Sequence, residues 1–287
     1  MKSIIYKNNI YLGLLIVLII SSCKKEASYN NEITNTSTST HLKATWSSCT
    51  NWAYWITDKY LYRNNIWGSS NPGASWQCVW ANSSSSWGAS CGHTNSTGSV
   101  KGYPQMVVGW LCGNGFLNTN RGNMGKKHQS YGTLKVYWNF SSPEYSPARY
   151  LSLIDIYFHW WGTPGGGDKP RTNIQLMTHW YDPTGWFDNS GTSNMTYKGQ
   201  KTIDGITYKA WYKYPHPDGA AEQLIQIRPT SKTKNATHNL KAICAWLVSL
   251  GVMSNDEYIT SIQAGWEFID GANGAGFQTY GYSVTAN

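Results

Sequence analysis

The most constraining feature of the chain is a hydrophobic period of two. Leu134, Val136, Trp138 and Phe140 alternate with Thr133, Lys135, Tyr137 and Asn139. Ile154, Ile156, Phe158 and Trp160 alternate with Asp155, Tyr157, His159 and Trp161, and Ile174, Leu176 and Thr178 with Gln175, Met177 and His179. One apolar face per segment means half-buried strands. Asp204-Gly205, between Ile203 and Ile206, is a two-residue hairpin signal. One segment departs from the pattern. Leu240, Ile243, Cys244, Leu247 and Leu250 recur at helical spacing and predict a helix over 237–251, capped by Thr237 or Asn235 and ended by Gly251. Many short strands and one late helix predict an all-β chain built as a two-sheet sandwich.

Composition narrows the function. The chain carries 16 Trp and 20 Tyr, more than a core needs, beside many Gly, Ser, Thr and Asn. Such a surface suits flat ligands that stack, and sugar rings are the usual ones. The net charge of +8 is not clustered beyond Lys24-Lys25 and Lys126-Lys127. Nucleic-acid binding needs a basic stripe, so it is excluded.

The N-terminus has Lys2, an apolar run from Ile10 to Ile20, and then Ser21-Ser22-Cys23. A positive start and a short apolar stretch make an export signal, too short to span a bilayer comfortably. Ile20-Ser21-Ser22-Cys23 looks like a bacterial lipobox, which makes Cys23 the lipidated first mature residue. The expected organisation is a signal peptide over 1–22, the lipidated Cys and a polar tether over 23–44, and one domain over 45–287. The expected location is the outer membrane or cell surface of a bacterium. The lipid is the expected membrane contact, and the protein is expected to be a monomer.

Export permits disulfides. Cys49 and Cys78 flank two strand-like segments and are the first expected pair; Cys91 and Cys112 are the second. Cys244 falls on the helical apolar stripe and is expected to be a buried thiol. None has zinc-site spacing with His. A His159/His179 pair lacks evident carboxylate ligands, so neither metal nor cofactor is expected.

The polar rows around Asp155 carry the chemistry. Asp155, Tyr157, His159 and Trp161 share one face of their strand, with Gln175, Met177 and His179 on the next. Carboxylate, amide, imidazole and aromatic rings together form a sugar-binding inventory. Further on, Glu267 lies between Trp266 and Phe268, and aromatic neighbours can desolvate a carboxyl and raise its pKa, as a general acid requires.

Taken in order, these motifs resemble glycoside hydrolase family 12, the β-jelly-roll endoglucanases and xyloglucanases. Cys49-Thr50-Asn51-Trp52-Ala53, Asn64-Asn65-Ile66-Trp67-Gly68 and Cys78 resemble its opening hairpin with its disulfide. Val100-Lys101-Gly102-Tyr103-Pro104 resembles its V-K-S-Y-P segment, and Asp182-Pro183-Thr184-Gly185 falls at a loop across the cleft. Ile154-Asp155-Ile156-Tyr157-Phe158 resembles the Y-D-I-F strand, whose Asp supports the nucleophile. Gln175-Leu176-Met177 resembles the E-L-M strand that bears the nucleophile. Gly265-Trp266-Glu267-Phe268 resembles G-T-E-P-F, whose Glu is the acid/base. The resemblance implies an antiparallel, concanavalin-like sandwich with the helix packed on its outer side. It also implies a cleft with Glu267, Asp155 and position 175 as catalytic positions. The sugar contacts expected there are Trp67, Asn65, Tyr157, His159, Met177 and His179.

One departure matters. The nucleophile position holds Gln175, and an amide cannot form the glycosyl ester of a retaining mechanism. Two functions therefore stand side by side. The first is an endo-acting hydrolase of plant-type or algal β-linked polysaccharide, with Glu267 as acid and Asp155 in place of the missing carboxylate. The second is an inactive glycan-binding lipoprotein.

Overall fold

The computed structural model describes residues 44–94, 98–111, 122–165, 167–185, 187, 194–271 and 276–287. The expected signal, Cys23 and nearly all of the tether lie outside the described residues, as does Cys112.

Six strands form one sheet in the order β1 (Trp46–Ser48), β4 (Gln77–Ser83), β5 (Ser86–Cys91), β16 (Phe277–Ala286), β8 (Leu134–Ser141), β14 (Asn235–Asn239). The second, larger sheet begins with β11 (Thr196–Ile203), β12 (Ile206–Lys213), β13 (Gln223–Pro229) and β10 (Thr172–Tyr181). It continues through β9 (Arg149–His159), β15 (Tyr258–Asp270), β6 (Gln105–Gly109), β3 (Tyr60–Arg63) and β2 (Tyr54–Thr57). The short β7 (Lys126–Lys127) pairs with the start of β15. Among the described residues the expected antiparallel order is broken once: β10 and β13 run parallel. The β11–β12 hairpin is laid down outside them, so β13 returns into the gap in the direction of β10.

The alternating residues fill the space between the sheets. Ile154, Ile156, Phe158, Ile174, Leu176 and Trp266 meet Val136, Trp138, Phe140 and Phe277 in one continuous core. Much of the aromatic content is spent here rather than on a binding surface. Trp87, Trp138 and Trp266 are fully buried, with Trp87 and Trp266 rings 4.9 Å apart and Trp138 and Phe140 rings 4.2 Å apart.

The helix α1 spans Leu240–Ser249, starting later than 237. Residues 235–239 pair with β8 instead, and Asn239 caps the helix by accepting from the Ala242 N–H at 3.2 Å. Gly251, at φ +69°, ends it. Its buried stripe of Leu240, Ile243, Cys244, Trp246 and Leu247 belongs to the main core, and the helix packs against β8 and β11.

Cys49 and Cys78 are bonded and tie the turn after β1 to its neighbour β4. Cys91 corrects the second expected pair: it is a buried free thiol, and Cys112, the expected partner, is outside the described residues. Cys244 is a buried free thiol on the helix.

Candidate active site

The larger sheet has one face on the core and an opposite face that is polar. The register draws a row across it: Gln263 of β15 faces Asp155 of β9, Asp155 faces Gln175 of β10, and Gln175 faces Gln226 of β13. All are on the face opposite Ile154, Ile156 and Leu176, as period two requires. Over this row opens a pocket lined by Trp67, Tyr103, Asp155, Tyr157, Asn173, Gln175, Asp218, Ala220 and Glu267.

Trp67 is held at the rim by its own loop. The Tyr103 N–H donates to Asn65 O at 2.7 Å and the Gly68 N–H to Lys101 O at 3.0 Å, fastening 65–68 to 101–103. The approach is so close that a Cβ on Gly68 would lie 2.3 Å from Val100 O, which only glycine avoids. Asn51 closes the other side, accepting from the Ile66 N–H at 2.9 Å. Trp67 stays half-buried, packed against a small apolar cluster of Tyr103, Leu151, Leu153, Met177, Trp180, Phe187 and Ile269.

Asp155 is buried and well supported. Its Oδ1 accepts from Asn173 Nδ2 at 3.1 Å, and the Gln175 side chain also hydrogen-bonds its carboxyl. Burial pushes its pKa up to about 7; the Asn173 bond opposes this and the Asp218 charge adds to it.

Glu267 is different in kind. Among the described residues its carboxyl takes no hydrogen bond, and part of it opens to the pocket. Burial, then the charges of Asp155 and Asp218, raise its pKa to about 8. At neutral pH it is an undissociated acid facing a cavity. Its neighbour in β9 is Leu151, four positions from Asp155, which is ~13 Å of strand. The side chains nevertheless converge on one pocket.

The remaining expected contacts divide. Tyr157 lines the pocket. His159 is on the same face but beyond the pocket, enclosed, with Nδ1 3.0 Å from Thr260 Oγ1; burial lowers its pKa to about 4. Asn65 is buried behind Trp67, and Met177 is buried in the apolar cluster. His179 corrects the sequence reading. A β-bulge between Met177 and His179 inserts one residue, which turns His179 to the opposite face. There its ring stands beside Phe140 and Tyr150, and Nε2 meets Glu144 Oε1 at 3.1 Å. Trp180 takes the cleft face in its place, in the cluster with Met177.

Four lining residues were not anticipated as site residues: Tyr103, Asn173, Asp218 and Ala220. Tyr103 lay inside a quoted motif. Asn173 is two residues before Gln175 on the same face, so alternation could have found it. Asp218 gave no signal, because His216-Pro217-Asp218-Gly219 reads as an ordinary turn. Among the described residues no three His, Cys, Asp or Glu side chains gather as a metal site requires.

Endoglucanase S of Pectobacterium parmentieri is 25% identical over 219 residues, 76% of this chain and 79% of that one. A xyloglucan-specific endo-β-1,4-glucanase of Emericella nidulans is 23% identical over 243 residues, 83% of this chain and 90% of that one. A family 12 xyloglucanase from Bacillus licheniformis superposes with a TM-score of 0.70 at 21% identity, covering 84% of this chain and all of its own. The chain resembles glycoside hydrolase family 12 in both sequence and fold. An endoglucanase of Rhodothermus marinus extends the likeness, at a TM-score of 0.69, 20% identity and coverage of 85% and 99%. No protein-family model matches the chain. Against that likeness, position 175 is the departure, an amide on the strand face where the resemblance implies a carboxylate.

Proposed function

We propose that the protein is an endo-acting β-glycan hydrolase for β-1,4-glucan, xyloglucan or a related polysaccharide, with Glu267 as general acid. The observation that carries this reading is Glu267 itself. A carboxyl with no hydrogen bond, raised to about 8 and turned into a pocket beneath a half-buried Trp67, is suited to protonate a glycosidic oxygen at neutral pH. Trp67 offers a face for a sugar ring, while Tyr103, Tyr157, Asn173 and Gln175 offer hydrogen bonds to hydroxyls. The relatives named above are endoglucanases and xyloglucanases, which supports the substrate class. The experiment is reducing-end release from xyloglucan, mixed-linkage glucan and soluble cellulose by the purified domain.

Gln175 favours one alternative, a glycan-binding lipoprotein without turnover. That protein would retard in gels containing glycan yet release no reducing ends. In either reading we place the domain on an outer membrane or cell surface, tethered through a lipid on Cys23 and acting as a monomer.

A further inference from the structure

We propose that Asp218 is the second catalytic carboxylate of this site, the base that activates a water molecule opposite Glu267. The proposal rests on the hydrolase reading above and concerns which residue replaces the carboxylate absent at position 175.

Three carboxyls line the pocket, and they are not equivalent. Asp155 is 4% exposed and engaged by Asn173 and Gln175, so a water or sugar carbon has little access to it. Asp218 is on the loop joining β12 to β13, with its side chain 46% exposed and on the pocket wall. It is held there rather than left loose. His216 Nδ1 stands 2.6 Å from Asp218 Oδ1, and the Ala220 N–H donates to the same oxygen at 2.9 Å.

A chain of polar contacts links Asp218 to the other site residues. His216 Nε2 is 3.3 Å from Asn173 Oδ1, and Asn173 Nδ2 donates to Asp155. Asn173 Oδ1 can only accept, so His216 Nε2 donates to it, and Nδ1 must also carry a proton to hold an ionised Asp218 at 2.6 Å. His216 is itself 6% exposed, wedged between the loop and β10. The base is thus positioned by a rigid imidazole that the sheet orients through Asn173. Burial pushes Asp218 upward, but His216 and the Ala220 N–H outweigh it and hold the carboxyl below the ordinary range. Glu267 moves the opposite way, and divergent environments of this kind separate a base from an acid.

Asp218 and Glu267 reach the pocket from different elements, the β12–β13 loop and strand β15. A base that activates water, rather than attacking the sugar itself, gives inversion. The step is then as follows. The water oxygen bonds to the anomeric carbon from the face away from the leaving group, and its proton passes to Asp218. The glycosidic C–O bond breaks, and Glu267 gives its proton to the leaving oxygen. Exchange with solvent afterwards deprotonates Asp218 and reprotonates Glu267.

The test uses the unmodified full-length protein with Asp218→Asn, Asp218→Glu and Asp155→Asn, assayed on xyloglucan and mixed-linkage glucan. Product anomers are followed by NMR, and melting curves are recorded for each variant. The expected result is inversion by the unmodified protein and a kcat loss of ~10²–10⁴ in Asp218→Asn. KM should be little changed, and Asp218→Glu should be at least tenfold more active than the Asn variant. Asp155→Asn should lose less than Asp218→Asn. Unchanged kcat in Asp218→Asn would overturn the proposal while leaving the hydrolase reading intact. Retention of configuration would overturn the role as base. An unmodified protein inert on every glycan would remove the hydrolase reading, and Asp218 as base with it.

Discussion

Gln175 stands directly opposite Asp155 in the β9–β10 register, and its side chain hydrogen-bonds the Asp155 carboxyl. Position 175 is therefore part of what holds a buried acid in place. A carboxylate there would remove an N–H donor and put a like charge beside a group already raised to about 7. Gln175→Glu is expected to lower the melting temperature at pH 8 and to give no gain in kcat. A gain of tenfold or more, with retained anomeric configuration, would mark the chain as a retaining enzyme that has lost its nucleophile.

Glu267 sets an upper pH limit. It must be protonated to act, and its pKa is raised to about 8, first by burial and then by Asp155 and Asp218. The other titratable groups in the pocket wall are Tyr103 and Tyr157. The profile of kcat/KM should therefore fall above about pH 8. Glu267→Gln should cost ~10²–10⁴ in kcat while leaving glycan binding in place.

The same residue links pH to stability. Its folded pKa of about 8 exceeds the ordinary value of 4.5, so the folded state binds the proton more tightly. Its contribution to stability is whole below pH 4.5 and is lost as pH rises through about 8. Glu267→Gln cannot ionise and should melt several degrees above the unmodified protein at pH 9, with the gap closing by pH 4. Melting curves across that range check it, and an equal gap at both ends would contradict the shift.

Trp67 is expected to carry ring stacking rather than chemistry. Trp67→Ala should weaken glycan binding about tenfold, ~1.4 kcal/mol, and raise KM with a smaller change in kcat. Affinity electrophoresis alongside kinetics separates the two effects.

Cys23→Ser should move the protein from the membrane fraction to the soluble exported fraction and abolish labelling by fatty acid. Labelling that survives the substitution would put the anchor elsewhere.

Much of the fold could be read from alternation, because one buried face per strand fixes which residues point inward. That is why Asp155, Tyr157 and Gln175 were found together. Alternation fails wherever the backbone slips. The bulge after Met177 adds a residue with no sequence mark, and His179 and Trp180 exchange faces because of it. It is also silent on loops. Asp218 follows Asp155 by 63 residues and reaches the pocket only because β13 returns beside β10. The helix start was misplaced for a related reason: residues 235–239 complete the edge of the six-stranded sheet, and that pairing overrides local capping preference. The abundance of Trp was informative but ambiguous, since Trp87, Trp138 and Trp266 serve the core and Trp67 the cleft.

The most direct measurement is reducing-end release from xyloglucan and mixed-linkage glucan by the purified domain, side by side with Glu267→Gln. If Glu267 is the acid of a working hydrolase, the unmodified domain releases reducing ends at neutral pH and the variant is slower by at least two orders of magnitude while still binding glycan. An unmodified domain that binds glycan and releases nothing, or a Glu267→Gln variant as fast as its parent, would contradict it.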